Sequence, residues 1–172
     1  MKKLLTTLSV AAVLLVAAAP AQAVPGIGTG IDLAVNIPTG NWGDASGMAV
    51  GALGYVSFDA IPIIKITGRA GYLHGLDKDG FSMSHIPVLV GVKWFPIPVI
   101  YLAGEVGMIW SKAKLDLGVL GTAESDWESE LGGTIGIGAG LGPLDARVSL
   151  FMPDFGEVGD LKGILLTAGY RF

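Results

Sequence analysis

The sequence lacks cysteine, is sparing with charge, and has no long apolar run beyond its first residues. The absence of cysteine excludes a disulfide framework, so the chain must hold its shape by other means. Charged residues make up only 15% of the chain, which is low for a soluble domain of this size. After residue 23, no segment approaches the roughly 18 uninterrupted apolar residues that a membrane-spanning helix requires. Basic residues are outnumbered, with 11 Lys and Arg against 15 Asp and Glu. That balance leaves no basic patch for nucleic acid.

What remains is an apolar, glycine-rich chain with 27 glycines and a mean hydropathy of +0.61. The first 23 residues read as a secretory signal peptide. Lys2 and Lys3 precede an apolar run from Leu4 to Ala19, and Ala21-Gln22-Ala23 is a small-x-small cleavage site. The two lysines leave with that segment, so the mature chain is more acidic than the whole. Residues 24–172 then form one domain.

Within that domain apolar residues recur at every second position between turn signals. Seven stretches alternate in this way: roughly Gly30–Pro38, Ser46–Phe58, Ile63–Leu73, Ser84–Phe95, Val99–Lys112, Trp127–Leu141 and Asp145–Met152. The eighth is the terminal run Ile164-Leu165-Leu166-Thr167-Ala168-Gly169-Tyr170-Arg171-Phe172. Each approaches the roughly 9–11 residues of a tilted spanning strand. The predicted fold is all-β, a closed eight-stranded antiparallel up-and-down transmembrane β-barrel after a signal peptide. An even strand count puts both ends on one side.

Connections after the second, fourth and sixth stretches are short and rich in Pro or Gly. The others carry most of the acidic residues: Asp44, Asp77, Asp79, Asp116, Glu124, Asp126, Asp154, Glu157 and Asp160. Short turns on one side and polar loops on the other fit an outer-membrane barrel. Matching faces predicts Leu141 opposite Ala146 in one hairpin and Ala70 opposite Ile86 in another. Aromatics near the strand ends predict two girdles, Phe58, Trp94, Tyr101, Tyr170 and Phe172 at the turns and Tyr72 and Trp110 at the loops. Pro87 is out of place inside a closed sheet and is expected at a bulge.

Alternation does not say which face is inside. The polar face is too rich in Gly, Ala and Leu for a solvated surface, and its few charges nearly balance. Asp32, Glu105, Glu130 and Asp145 stand against Lys65, Arg69, Lys93, Arg147 and Arg171. Small residues with a few opposite charges suit the crowded lumen of an eight-stranded barrel. The expected consequence is a salt-bridged plug, because unpaired buried charge is costly. A narrow conduit for ions or small solutes is the alternative. A soluble periplasmic barrel holding a hydrophobic ligand would invert the two faces.

No catalytic, cofactor or metal residue is expected. The nearest candidate is His74 with Ser82 and Ser84, the elements of a lipid-modifying outer-membrane enzyme, for which Asp77 or Asp79 would have to orient the histidine. His85 lies on the lumen face without a second His or Cys near it, so hydrogen bonding is expected rather than metal ligation. The acidic loops could hold divalent cations that bridge to lipopolysaccharide, though their spacing matches no calcium loop. Gly-x-Gly runs such as Gly136–Gly140 lack the following helix of a phosphate loop. They make room in a narrow barrel instead.

The leader, the eight strands, the Pro38-Thr39-Gly40 loop entry and the terminal Tyr170-Arg171-Phe172 together resemble the small OmpA-like outer-membrane β-barrel superfamily. That resemblance implies a porin-like, monomeric barrel in the outer membrane of a Gram-negative bacterium, with both termini periplasmic and lipid and lipopolysaccharide around it. It also implies that Tyr170 and Phe172 are the aromatic positions of the C-terminal signal read by the barrel-assembly machinery. The chain has Thr167 where that pattern usually has glycine.

Overall fold

A computed structural model describes residues 26–172 apart from 117, 119 and 120. The proposed leader and its cleavage site lie outside the described residues. The strands are β1 (Ile27–Thr39), β2 (Ala49–Ile61), β3 (Ile64–Gly75), β4 (Phe81–Trp94), β5 (Ile100–Asp116), β6 (Thr122–Glu124), β7 (Glu128–Leu141), β8 (Leu144–Met152) and β9 (Lys162–Arg171). One short helix, α1 (Asn41–Ala45), lies between β1 and β2.

Eight strands form the wall, each antiparallel to its neighbours, and the sheet closes where β1 pairs β9. Closure leaves no edge strand in the ring. The remaining strand, β6, folds back on the end of β5 and extends that hairpin beyond the wall. Lys112 and Glu124 tie its base with an ion pair of 2.6 Å.

The period-2 pattern sorts the two faces. Leu33 is 67% exposed, while its neighbour Asp32 is 0% exposed. Large apolar side chains such as Val90, Ile135, Leu150 and Leu166 cover the outside. Charged and small residues line the inside, so the apolar-out arrangement is the one adopted.

Two predicted registers are shifted by two residues, which preserves every face. Ala139 pairs Ala146 and Leu141 pairs Leu144, because the turn is the two residues Gly142-Pro143 rather than a longer loop. Gly142 takes a φ of 58°, which suits glycine. In the other hairpin Ala70 pairs Val88, and Lys78 pairs Phe81 around Asp79-Gly80. Both turn residues have positive φ, the geometry of a type I′ turn. Between that turn and the pair Leu73–His85, β3 carries one more residue than β4.

Pro87 corrects another expectation. It sits in continuous register with β5, opposite Ile109, and the β3–β4 register is unchanged on either side of it. No bulge is present there. The β3–β4 ladder instead omits the pairs around Gly71 and Pro87, where proline has no N–H to give.

Candidate functional site

The candidate site is the lumen, which is filled in three levels. At its centre four charged side chains meet from four strands: Asp32 on β1, Arg69 on β3, Glu105 on β5 and Arg147 on β8. Arg147 Nη1 lies 2.9 Å from Glu105 Oε1. Arg69 lies 3.4 Å from Glu105 and 3.5 Å from Asp32. Glu105 Oε2 also accepts a hydrogen bond of 2.9 Å from Thr134, and Arg147 Nε donates to Ser149 at 2.7 Å. Arg69 pairs by proximity alone, with its Nε and Nη2 lacking an aligned hydrogen-bond acceptor.

Toward the tight turns lies a second level. Lys93 Nζ donates to Asp145 at 2.9 Å, reaching from β4 across the lumen to β8. Arg171 Nη2 lies 3.0 Å from the same carboxylate, and its Nη1 bonds Asp32. Tyr101 donates its hydroxyl to Asp145 at 2.7 Å. The rings of Tyr55 and Tyr101 stand 4.7 and 4.1 Å from Lys93 Nζ, and Arg171 stacks 3.8 Å over Tyr55. These rings favour the cations without neutralising them.

Toward the loops the filling becomes aromatic. Trp42, on α1, turns into the barrel and is buried against His85 and Phe151, with ring centroids 5.5 and 6.4 Å away. His85 Nδ1 pairs with Ser111 Oγ at 2.8 Å. Lys78 from the β3–β4 turn donates to the carbonyls of Gly43 at 2.6 Å and Asp44 at 3.1 Å. This satisfies carbonyls at the end of α1 and holds the tryptophan in place.

Seven of the nine predicted network residues come together in this way. Lys65 does not. It stands at the turn-end rim, one residue into β3, and pairs with Asp59 at 2.9 Å. Glu130 is exposed because β8 ends at Met152, opposite Gly133, and leaves that part of β7 without a strand on its β8 side. Tyr101 leaves the predicted girdle and faces the lumen. Phe58, Trp94, Tyr170 and Phe172 remain outward around the turn end, with Tyr170 and Phe172 packed edge to face at 5.7 Å.

Sequence reasoning gave no role to Trp42, which lies in the connection between the first two alternating stretches. An aromatic between Gly40 and Gly43 was the available signal. The lumen glycines do provide space. A Cβ on Gly138 would collide with the ring of Tyr101, and one on Gly169 with the carboxylate of Asp32.

The other candidates are not assembled. His74 Nδ1 lies 3.4 Å from the Tyr72 hydroxyl, and the Ser84 hydroxyl accepts from the amide of Gly75 at 3.1 Å. No serine is hydrogen-bonded to His74 among the described residues. Asp77, Asp116 and Asp154 accept hydrogen bonds from the amides of nearby glycines in their own turns. No group of three metal-ligating side chains converges among the described residues.

No protein-family model and no curated protein matches the chain. Solved structures do. Ail, the attachment invasion locus protein of Yersinia pestis, superposes with a TM-score of 0.62 at 15% identity, covering 86% of this chain and 99% of that one. Neisserial surface protein A superposes with a TM-score of 0.55 at 15% identity, covering 85% and 96%. A de novo designed transmembrane β-barrel gives 0.51 at 15% identity, covering 86% and 97%. At such identities the likeness speaks of fold alone, and the fold it establishes is the closed eight-stranded antiparallel barrel.

Proposed function

We propose that the chain is an integral outer-membrane β-barrel protein of the OmpA-like superfamily, with a structural or surface-interaction role and a plugged lumen. The observation that carries this reading is the inverted distribution of polarity. An apolar belt faces outward while Asp32, Arg69, Glu105 and Arg147 are buried inside. In water such a surface would associate. In a bilayer it is solvated, and the buried charges pair with one another. The turn end, with both chain ends, would face the periplasm, and the acidic loops would face the lipopolysaccharide. Tyr170 and Phe172 would serve as the assembly signal, and the barrel would act as a monomer without catalysis.

A plug is favoured over a conduit because the ion pairs cross the lumen rather than line it. Lys93–Asp145 and Arg147–Glu105 each join strands that are not neighbours in the wall.

Ail has been seen with a heparin analogue, sucrose octasulfate. Such an anionic ligand does not suit the loop end here, where Lys78, Lys112, Lys114 and Lys162 are outnumbered by acidic residues. A sulfated sugar is therefore not proposed as a surface partner.

Membrane fractionation with a heat-dependent gel-mobility shift tests the proposal. The folded barrel should stay with the outer membrane and run differently before and after boiling. A mature protein that remains soluble without detergent would refute it. Planar-bilayer recording tests the plug: sustained conductance altered by Arg147→Ala or Glu105→Ala would replace it with the channel reading.

A further inference from the structure

A cavity of about 680 Å³ opens at the turn end of the barrel. Its lining includes Lys93, Asp145, Arg171 and Tyr55 in the lumen and Lys65 at the mouth. Apolar residues surround the opening, among them Ile97 and Leu144. The crossing ion pairs lie above it, so it is a blind vestibule rather than a passage.

The charges around it do not cancel. The central set of Asp32, Arg69, Glu105 and Arg147 is balanced. Arg171 reaches into that set by bonding Asp32, so over the whole lumen Asp32, Glu105 and Asp145 stand against Arg69, Lys93, Arg147 and Arg171. Lys65 cannot offset this, since it is itself a cation and is occupied by Asp59. One positive charge is therefore left over in the lumen, and Lys93 and Arg171 carry it to the vestibule floor.

Lys93 is the group with capacity to spare. It is 2% exposed, and one of its three N–H donors goes to Asp145. Its other close neighbours are the faces of Tyr55 and Tyr101. A ring face stabilises a cation but accepts no full hydrogen bond. Buried surplus charge is costly unless something compensates it.

We infer that the vestibule binds a small organic monoanion, with its carboxylate against Lys93 and Arg171 and a short apolar body against Ile97 and Leu144. A single negative charge neutralises the lumen set, whereas a divalent anion would reverse its sign. The volume lies within the roughly 300–1,000 Å³ usual for small-molecule sites. This inference deepens the proposed membrane reading in one respect, the periplasmic side from which the ligand enters.

The test is calorimetric titration of the folded protein in an uncharged detergent with hexanoate, hexan-1-ol and inorganic phosphate. Hexanoate should bind saturably and at least about ten-fold more tightly than either comparator, the scale expected for one desolvated charge contact. Lys93→Met should weaken hexanoate by about ten-fold or more, and Lys65→Gln by about two- to three-fold, as a rim charge does. Lys112→Gln, which removes a cation at the far end, should leave affinity unchanged. Equal binding of hexanoate and hexan-1-ol, no binding of hexanoate, or wild-type affinity in Lys93→Met would overturn the inference. If Lys93→Met fails to fold, Lys65→Gln and the preference for the anion over the alcohol decide. The heat-dependent mobility shift is read on the same sample, so failure of the site and failure of the membrane reading are distinguishable.

Discussion

Arg147 and Glu105 are joined at 2.9 Å across an intervening strand, with both side chains 1% exposed. β7 lies between their strands and contributes Thr134, which donates to the same carboxylate. Glu105 also faces Arg69. One acid thus holds two buried guanidinium groups, and removing it leaves both short of a partner.

Glu105→Ala should therefore destabilise the barrel by about 3–5 kcal/mol, the cost of breaking a buried pair from one side. Denaturant midpoints of the reconstituted protein measure this. A change below about 1 kcal/mol, the scale of an exposed pair, would show that water already reaches Glu105.

Gly138→Ala should cost about 1–3 kcal/mol through overpacking. The added methyl meets the ring of Tyr101 and pushes its hydroxyl away from Asp145. If that is the cause, the cost should shrink in a Tyr101→Ala background. Equal costs in both backgrounds would place the strain elsewhere.

Leu33→Arg tests the outward face. Leu33 sits midway along β1, between Ala52 and Ala168. In a bilayer the substitution should cost about 2–4 kcal/mol, as expected for arginine near the midplane. Folding free energies in lipid vesicles provide the comparison. No loss would count against a hydrocarbon environment at this residue.

The β5–β6 hairpin supplies a pH prediction. The hydrogen bond from Lys112, followed by its charge, holds the Glu124 carboxyl below its ordinary range. A depressed folded-state value means the hairpin gains from this pair above the ordinary carboxylate range and loses it as pH falls through the folded value. Glu124 lies on the exposed surface, so the gain is screened. An NMR titration should place its midpoint below that of a free glutamate, and Lys112→Ala should return it to normal.

Tyr170→Ala combined with Phe172→Ala should lower the amount of barrel in the outer membrane of cells. Folding of the same variant into micelles should change much less, because both rings are exposed. Parallel losses in cells and in micelles would make the two rings part of the barrel's own stability rather than a signal.

Much of the fold was legible because strand alternation has a period of two. A residue such as Val148 faces outward whether it pairs with Ala139 or with Ile137, so the two-residue register errors left every face intact. Those errors arose in the turns. Whether Gly142-Pro143 or Asp79-Gly80 forms a two-residue reversal depends on backbone dihedrals that alternation does not encode. Lys65 and Glu130 were misplaced for a related reason. Their faces were read correctly, but height along the barrel follows from stagger between strands.

The sequence alone determined the class of this protein: an apolar outer face, a sparse and nearly balanced inner one, and eight alternating segments. These follow from local periodicity and composition. Tertiary structure decided which charges meet, that Trp42 closes the loop end, and that Lys93 and Arg171 share one carboxylate beside an open vestibule. Such contacts join residues far apart in the chain, and their partners are fixed by barrel closure and strand stagger, which no local pattern contains.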